Sequence, residues 1–431
     1  MTQATGIWMT GGPTAALPTQ QRQRKGVLAP VIGLVALGIC GLVVLGLVGT
    51  SVGVGGVVVG ALCALLPVGP VVATFLWIDR WEPEPPRLLL IAFLWGACFA
   101  ALSALLINSS AAYVVDEILG KGSGDVVGST IIAPLVEEAL KGSFLVGLLI
   151  FRRREFDGII DGIVYAGLTA AGFAFTENIL YFGRAFSEQS SMGGGVLSVL
   201  ILRGVLSPFA HPLFTAMTGI GAGIAANSRS AAARPFWVLG GYALAVTLHA
   251  IWNSSASLFD GGAFLLVYGF VMVPLFAAMA TIVVWQRRRE QAVIAEQLPG
   301  FARAGWIAPS EVALLSTLAG RRGWRAAVRR RSGREVEKAV SRYQEAVTDL
   351  AFLRARMARG AIGPMGRQWH DEALAEVIRA RRKAVGHPEA LTVALRHHGG
   401  QGAWTPPPAG PPPSPHQPFP PNLPPQSWPH R

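Results

Sequence analysis

The chain has 431 residues, of which 51% are hydrophobic and only 14% are charged, and its formal net charge is +12. Its mean hydropathy is positive, which is unusual for a soluble protein, and apolar runs long enough to cross a bilayer recur along it. All three cysteines lie in apolar runs, which argues against a disulfide framework or a cysteine-bound zinc site. The first apolar run follows a polar tail and has full span length, so we expect no cleaved signal peptide.

Eight apolar runs predict membrane-spanning helices. They are residues 27–48, 53–78, 88–112, 128–151, 158–182, 202–226, 235–257 and 263–285. The glycine-rich stretch SVGVGGVVVG makes the boundary between the first two the least defined. Pro208 and Pro212 predict a kink or break in the sixth span. The predicted fold class is therefore all-α, a polytopic membrane helix bundle of about eight spans with a helical, Pro-rich C-terminal tail.

Basic residues in the loops predict the orientation of this bundle. With the N-terminus inside, one face receives almost all of the loop arginines and lysines, which is the positive-inside pattern. That cytoplasmic set is Arg22, Arg24, Lys25, Arg80, Arg87, Arg152, Arg153, Arg154, Arg229, Arg234, Arg287, Arg288 and Arg289; the opposite face has Lys121 and Arg184, with Arg203 near its border. We expect a multi-pass protein of the cell membrane with both termini in the cytoplasm.

Four regions follow from these patterns. They are a cytoplasmic N-terminal tail (1–26), the transmembrane domain (27–285), a basic cytoplasmic helical tail (286–400) and a disordered Pro-rich segment (401–431). The basic tail is expected to be either a small helical domain that contacts anionic lipid headgroups or a solvated appendage. Nothing beyond its charge supports nucleic-acid binding, so no nucleic-acid partner is expected.

Ionisable side chains lie deep inside four of the predicted spans. With a rise of about 1.5 Å per residue, Glu137, His211 and His249 lie about 21 to 22 Å from the cytoplasmic end of their spans, and Glu177 about 28 Å. Helices running in both directions therefore place polar groups in one layer, in the outer half of the bilayer. A charge at mid-bilayer costs about 2.5–3.5 kcal/mol even on the lenient scale, so these residues are functional candidates.

Local spacing adds further polar groups to this layer. Lys141 follows Glu137 by four residues and Glu138 by three, so its amine can pair with either glutamate on one helix face. Asn253 lies one turn after His249, so both side chains can point at a common centre. A structural ion pair or a hydrogen-bonded core histidine is the alternative interpretation of these groups.

Two mechanisms of water activation are open to these residues. Two histidines and a carboxylate are a common catalytic zinc set, in which a further glutamate, Glu137 or Glu138, serves as general base and is tuned by Lys141. In a metal-free scheme a glutamate and a histidine activate water, while His249 and Asn253 donate to the oxyanion. The spacing does not decide between them, and the HExxH motif of soluble zinc peptidases is absent.

Four short motifs carry a resemblance to a known family. EEALK, FAFTEN, HPLFT and HAIWN occur in this order on successive spans, and DRWEPEPP precedes the third span. Over about residues 55–285 this ordered set resembles the PrsW family of bacterial intramembrane proteases, distant relatives of the CAAX prenyl endopeptidases. The resemblance implies an endopeptidase that cuts membrane-anchored proteins on the extracytoplasmic side, an anti-sigma factor in the best-known case.

The resemblance also implies a set of functional residues and a metal. The functional set that carries over is Glu137, Glu138, Glu177, His211 and His249. Metalloprotease is the family's usual label, so Glu177, His211 and His249 are expected to bind a metal, with Zn²⁺ as the candidate. The CAAX pattern has a histidine where Glu177 stands, and a carboxylate at that position permits a metal ligand.

Three functions are compatible with the sequence. The first is an intramembrane protease, whose partners are the lipid bilayer and a membrane-anchored protein substrate. The second is an ion or proton-coupled transporter, in which polar residues would continue along the spans toward both faces. The third is a membrane scaffold that recruits partners through its basic tail. A single polar layer with apolar cytoplasmic halves favours the protease over the transporter.

Overall fold

The computed structural model describes residues 28–81, 83–153, 155–189, 194–257, 262–362 and 365–387. The predicted terminal segments 1–26 and 401–431, and Arg154 among the loop cations, lie outside the described residues. Within the described ranges all regular structure is helical and no strand is present, which confirms the predicted all-α class.

The first part of the chain forms the apolar bundle. Its helices are α1 (Leu28–Ile78), α2 (Pro86–Leu94), α3 (Ala101–Leu119), α4 (Ser123–Val127), α5 (Ala133–Phe151), α6 (Ile159–Gln189), α7 (Gly194–Val199), α8 (Ala210–Asn227), α9 (Ala233–Ser257), α10 (Phe264–Val267) and α11 (Val273–Arg303). Short π-helical segments connect α2 to α3, α4 to α5 and α10 to α11, and another extends α7 to Leu206. The interruption between Leu206 and Ala210 contains Pro208, where the sequence predicted a kink or break.

Six helical stretches among the described residues are long and apolar enough to cross a membrane. They are Val31–Ile78, Pro86–Leu119, Ile159–Glu188, Gly195–Asn227, Ala233–Ala256 and Phe264–Arg303. The α5 helix is not among them, because Glu137, Glu138 and Lys141 lie close together within its 19 residues. The total of eight spans stays a prediction.

The first of these stretches is two helices rather than one. Gly53 has a φ of 72°, a left-handed conformation that interrupts α1. A Cβ placed on Gly49 would lie 3.8 Å from the Val57 side chain. In an unbroken helix residues eight apart are separated by about 12 Å along the axis, so the chain turns back at this glycine. This reversal agrees with the predicted division into spans 27–48 and 53–78.

The α6 helix lies inside the bundle and is largely buried. Gly96, between α2 and α3, and Gly172 of α6 let these helices touch through their backbones. A Cβ on Gly96 would lie 1.8 Å from the Thr169 carbonyl oxygen, and one on Gly172 would lie 2.0 Å from that of Phe93. Only glycine permits such an approach, which holds the helix that carries Glu177 against the α2–α3 segment.

The last described helices enclose a second hydrophobic core. These helices are α12 (Pro309–Leu315), α13 (Leu318–Ala358, interrupted at Gly333) and α14 (Gly366–Val385). With the end of α11 they bury Trp324, Tyr343 and Leu350, among others, in a cluster separate from the bundle core.

Several side-chain contacts fix this C-terminal unit to the bundle. Trp81, in the loop after α1, is only 3% exposed and packs in the second core, with the Arg321 guanidinium 5.2 Å from its ring. Arg356 of α13 pairs with Asp157 at 2.5 Å and donates to the Arg153 carbonyl oxygen, both in the loop between α5 and α6. The C-terminal unit therefore covers loops at the end of the bundle that carries most of the basic residues, here called the basic end.

Candidate active site

The EEALK motif on α5 forms a buried ion-pair network. Lys141 Nζ lies 2.9 Å from Glu138 Oε1 and 3.4 Å from Glu137 Oε2, and Lys141 and Glu138 are fully buried. Spacings of three and four residues on one helix produce this geometry. Lys141 Nζ also lies 3.1 Å from His211 Nδ1 and 4.1 Å from the centre of the Phe173 ring. One amine thus connects α5 to both α6 and α8.

Glu138 is held by groups from two further helices. Its Oε1 lies 3.0 Å from His249 Nδ1 of α9, and its Oε2 accepts a 2.7 Å hydrogen bond from Thr215 Oγ1 of α8. With the Lys141 contact, both carboxylate oxygens are engaged and neither is exposed. This arrangement suits a residue that orients the His249 ring.

Glu137 faces a cavity of about 330 Å³. Its Oε1 accepts a 3.3 Å hydrogen bond from Asn108 Nδ2 of α3, and its Oε2 lies 3.9 Å from His249 Nε2. The polar lining also includes Asp125, Thr176, Glu177, Arg184 and Asn253, while Val44, Val48, Ala101 and Ala104 are among its apolar lining residues. Of the two adjacent glutamates, Glu137 is the one that lines the cavity, a distinction that the sequence left open.

Glu177 belongs to a second network, which joins α6 to the segments on either side of the break before α8. Its Oε2 lies 2.9 Å from His211 Nε2 and also pairs with the Arg203 guanidinium. Arg203 donates from Nε to Asn178 Oδ1 at 2.7 Å and stacks over the Tyr181 ring at 3.9 Å. Sequence reasoning missed this role of Arg203. The sequence feature that could have indicated it is the position of Arg203, a cation within an apolar run near the extracytoplasmic face, where the predicted loops have few cations.

The two histidines of the site come from α8 and α9 and lie side by side. The ring centroids of His211 and His249 are 5.0 Å apart, and His249 stacks on Phe214 with centroids 5.2 Å apart. His249 contacts the Glu138 carboxylate with one ring nitrogen and faces that of Glu137 with the other, whereas His211 contacts the carboxylate of Glu177. The ionisable groups of four predicted spans therefore meet in one place.

One group of side chains among the described residues has the arrangement of a metal site. Glu137, His211 and His249 offer ligand atoms that all lie within 4.8 Å of one another. This group contains both predicted histidine ligands but has Glu137 where the sequence predicted Glu177. The Glu177 carboxylate contacts Arg203 and one ring nitrogen of His211 instead.

Asn253 lies one turn from His249 and lines the cavity, as its spacing suggested. Its Nδ2 donates to the Ser129 carbonyl oxygen at 2.9 Å. The side-chain amide that contacts a glutamate of the site is that of Asn108, which the sequence did not single out. The role of Asn253 as an oxyanion donor stays a prediction.

A second set of buried polar side chains lies at the basic end of the bundle. Glu84 Oε2 accepts a 2.8 Å hydrogen bond from the Tyr165 hydroxyl, and Asp79 accepts from the Glu84 backbone N–H at 3.1 Å. Burial raises the pKa of Asp79 to about 7, and burial with repulsion from Asp161 raises the pKa of Glu84 well above its usual range. The expectation of a single polar layer was therefore too simple.

Comparison with known proteins identifies a family. Residues 84–279 match the family described as PrsW family intramembrane metalloprotease. Three curated relatives are each named Protease PrsW. That of Clostridioides difficile (strain 630) is 35% identical over 159 residues, which cover 36% of this chain and 62% of the relative. That of Geobacillus kaustophilus (strain HTA426) is 29% identical over 175 residues, which cover 41% of this chain and 69% of the relative. That of Bacillus subtilis (strain 168) is 31% identical over 103 residues, which cover 24% of this chain and 44% of the relative.

The similarity to these relatives is partial. The chain spans less than two thirds of the length of the Clostridioides difficile relative. No solved structure matches the chain. Residues 108–253, which hold the polar network described above, lie wholly inside the matched region.

Proposed function

This chain belongs to the PrsW family, and on that premise we propose that it is an intramembrane endopeptidase acting on membrane-anchored protein substrates. The proposed placement is a multi-pass protein of the cell membrane with both termini in the cytoplasm. The polar network then lies in the outer half of the bilayer, on the side where the family resemblance implies cleavage. An anti-sigma factor is a substrate consistent with that resemblance.

The observation that carries this proposal is the position of Glu137. Its carboxylate is almost fully buried, lines a cavity, and lies within 3.9 Å of the His249 ring. A carboxylate so placed can take a proton from a water molecule as the water oxygen attacks the substrate carbonyl carbon. The proton then passes to the leaving amine as the C–N bond breaks.

The residues around Glu137 keep the site ordered. Lys141 contacts both glutamates of the motif and offsets their negative charge. Glu138 contacts His249 and Glu177 contacts His211, so each ring is held in one orientation while a substrate binds. Preorganisation of this kind lowers the cost of reaching the transition state.

The residues present fit a divalent metal. A carboxylate and two imidazoles close together are a known ligand set of catalytic zinc, and Glu137, His211 and His249 provide it. Charge also fits, because the three carboxyl groups of Glu137, Glu138 and Glu177 outnumber the two cations Lys141 and Arg203 that contact them. A bound metal would polarise the substrate carbonyl or lower the pKa of a water molecule. Glu137 is a ligand in that version and the base in the metal-free version, so both versions require its carboxylate.

The test compares the full chain with its Glu137→Gln variant in a bacterial host. New protein N-termini in the membrane and extracytoplasmic fractions are labelled and quantified by mass spectrometry, so that cleavage is detected in any protein of the host rather than in one chosen substrate. Wild type is expected to generate N-termini within or next to single spans of other proteins, and Glu137→Gln is expected to lose them. Glu117→Gln is the matched control, because Glu117 lies on α3 and does not line the cavity.

Equal amounts of each variant in the membrane must be verified by immunoblotting. If Glu137→Gln produces the same N-termini at the wild-type rate, the proposed protease centre is wrong. If Glu117→Gln abolishes them as well, the effect does not arise from the cavity.

A further inference from the structure

An apolar cleft lies on the side of the bundle, and none of the ionisable residues of the polar network line it. It has a volume of about 150 Å³ and lies between α1, α6, α8 and α11. Its lining includes Phe75 and Trp77 of α1, Ala216 of α8, and Phe276, Ala280 and Val284 of α11. From Phe276 to Val284 it extends for about 12 Å along α11, close to the roughly 15 Å depth of one leaflet.

The end of the cleft near Trp77 carries positive charge. The Arg287 guanidinium stacks over the Trp77 ring, 4.3 Å from its centroid, and Trp77 is a wall of the cleft. The like charge of Arg80 acts on Arg287, and so does the opposite charge of Glu290. Arg287 and Arg80 thus place two cations close together at this end of the cleft.

These features together define the chemistry of a ligand. An acyl chain suits an apolar cleft on the side of the bundle, and an acidic phosphate suits an arginine whose guanidinium lies 4.3 Å from the centre of an aromatic ring at the end of that cleft. We propose that the cleft binds one anionic phospholipid, whose acyl chain lies along α11 and whose phosphate contacts Arg287 and Arg80. A zwitterionic phospholipid places a cation near the same rim and is expected to bind more weakly.

The inner end of this cleft touches the support of the candidate active site. Phe209 and Pro212 line the cleft and flank His211 in the chain. Phe209 lies in the break before α8, and Pro212 lies in the first turn of α8. An acyl chain packed there would contact the segment that places the His211 ring.

Native mass spectrometry of the full chain tests the proposal. The protein is delipidated in detergent and titrated with phosphatidylglycerol or phosphatidylcholine, and the bound lipids are counted. We expect one phosphatidylglycerol to bind in preference to phosphatidylcholine. Arg287→Ala should weaken this binding about fivefold, the change expected for one lost contact between an arginine and an acidic headgroup. Ala280→Phe, which fills the cleft, should abolish it.

Two matched control variants test whether the losses are specific to the cleft. Arg288→Ala removes a neighbouring cation that does not stack on Trp77, and Ala278→Phe adds the same ring to α11 outside the cleft. Ala278 and Ala280 are both exposed on α11, so neither change crowds the bundle core. Wild-type lipid binding by both controls supports the site. Equal losses in Ala278→Phe and Ala280→Phe, equal losses in Arg287→Ala and Arg288→Ala, or equal binding of the two lipids would overturn it.

Discussion

Glu177 and His211 come from different helices, and a carboxylate oxygen of Glu177 lies 2.9 Å from Nε2 of His211. The same carboxylate pairs with Arg203, which also holds Asn178. The arginine therefore fixes the carboxylate that fixes the histidine. Arg203 is therefore a positioning residue, which acts on His211 through Glu177 and does not touch the reacting atoms itself.

Replacement of Arg203 should slow cleavage without removing the site. Arg203→Ala is expected to reduce the rate of substrate cleavage by about 10- to 100-fold, the range seen when a group that orients a functional histidine is lost. Arg203→Lys keeps the charge but loses the paired contacts, so it should recover only part of the rate. Cleavage of an identified substrate in proteoliposomes measures both. Arg184→Ala, an exposed arginine on the same cavity, should be near wild type, and an equal loss there would contradict the positioning role.

Much of the site could be predicted because it depends on helical geometry alone. The spacing of Glu137, Glu138 and Lys141 predicts their ion pairs, and the depth of four ionisable groups along their spans predicts that they meet. The first prediction does not depend on how the helices rotate about their axes, whereas the second also requires each polar face to point into the bundle, which the cost of a charge in lipid favours.

The rest depends on packing that one sequence does not reveal. Glu137 rather than Glu138 lines the cavity because of the rotation of α5, which is set by contacts such as that of Gly142 with Thr218. The pairing of Glu177 with both Arg203 and His211 requires the segments on either side of the break before α8 to approach α6. Trp81 is buried in the core of the C-terminal unit, among residues far from it in the chain. Local periodicity in the sequence does not predict contacts over such a separation.

Loss of Lys141 should destabilise the fold as well as the chemistry. Lys141→Met leaves the fully buried Glu138 carboxylate without its closest cation, and breaking a buried ion pair costs about 3–5 kcal/mol. In the double variant Lys141→Met, Glu138→Gln the Glu138 charge is removed together with its closest cation, so the cost of the double variant should be well below the sum of the costs of Lys141→Met and Glu138→Gln alone. Unfolding of the three variants in a denaturing detergent titration measures the coupling. Additive costs would show that the pair does not interact energetically.

Stability should depend on pH through Asp79. Its pKa is raised by burial to about 7, whereas an unfolded aspartate has a pKa of about 3.9. The folded state therefore binds the proton more tightly, so the stabilising effect of protonated Asp79 is present at low pH and lost as pH rises from about 4 to about 7. The melting temperature of the wild type should therefore fall as pH rises from about 4 to about 7. Asp79→Asn should make this fall smaller, whereas Asp125→Asn, at an exposed position, should leave it unchanged. Identical pH profiles for wild type and Asp79→Asn would refute the assignment.

Trp81 should hold the C-terminal unit on the bundle. Trp81→Ala removes a large side chain that is 3% exposed, and a buried Trp→Ala change costs about 3–5 kcal/mol. We expect faster limited proteolysis of the full chain in the turn at residues 304–308, between α11 and α12, together with a lower melting temperature. Trp285→Ala, at a tryptophan that is 56% exposed, is the control and should leave the digestion rate unchanged. Equal digestion of wild type and Trp81→Ala would mean that this side chain does not anchor the unit.

Metal binding distinguishes the two versions of the proposed mechanism. If Glu137, His211 and His249 hold a divalent ion, purified wild type should retain about one equivalent per chain, because three protein ligands from three helices form a preorganised site. His249→Ala should lose that metal, and Glu177→Gln should retain most of it, because Glu177 contacts His211 without belonging to the ligand group. His370→Ala, on α14 and outside the bundle, controls for adventitious histidine binding. Elemental analysis after dialysis against a chelator provides the measurement. If metal-free wild-type protein still cleaves substrate, the version in which Glu137 acts directly as the base is favoured. In that version His249→Ala is expected to lose activity although no metal is bound.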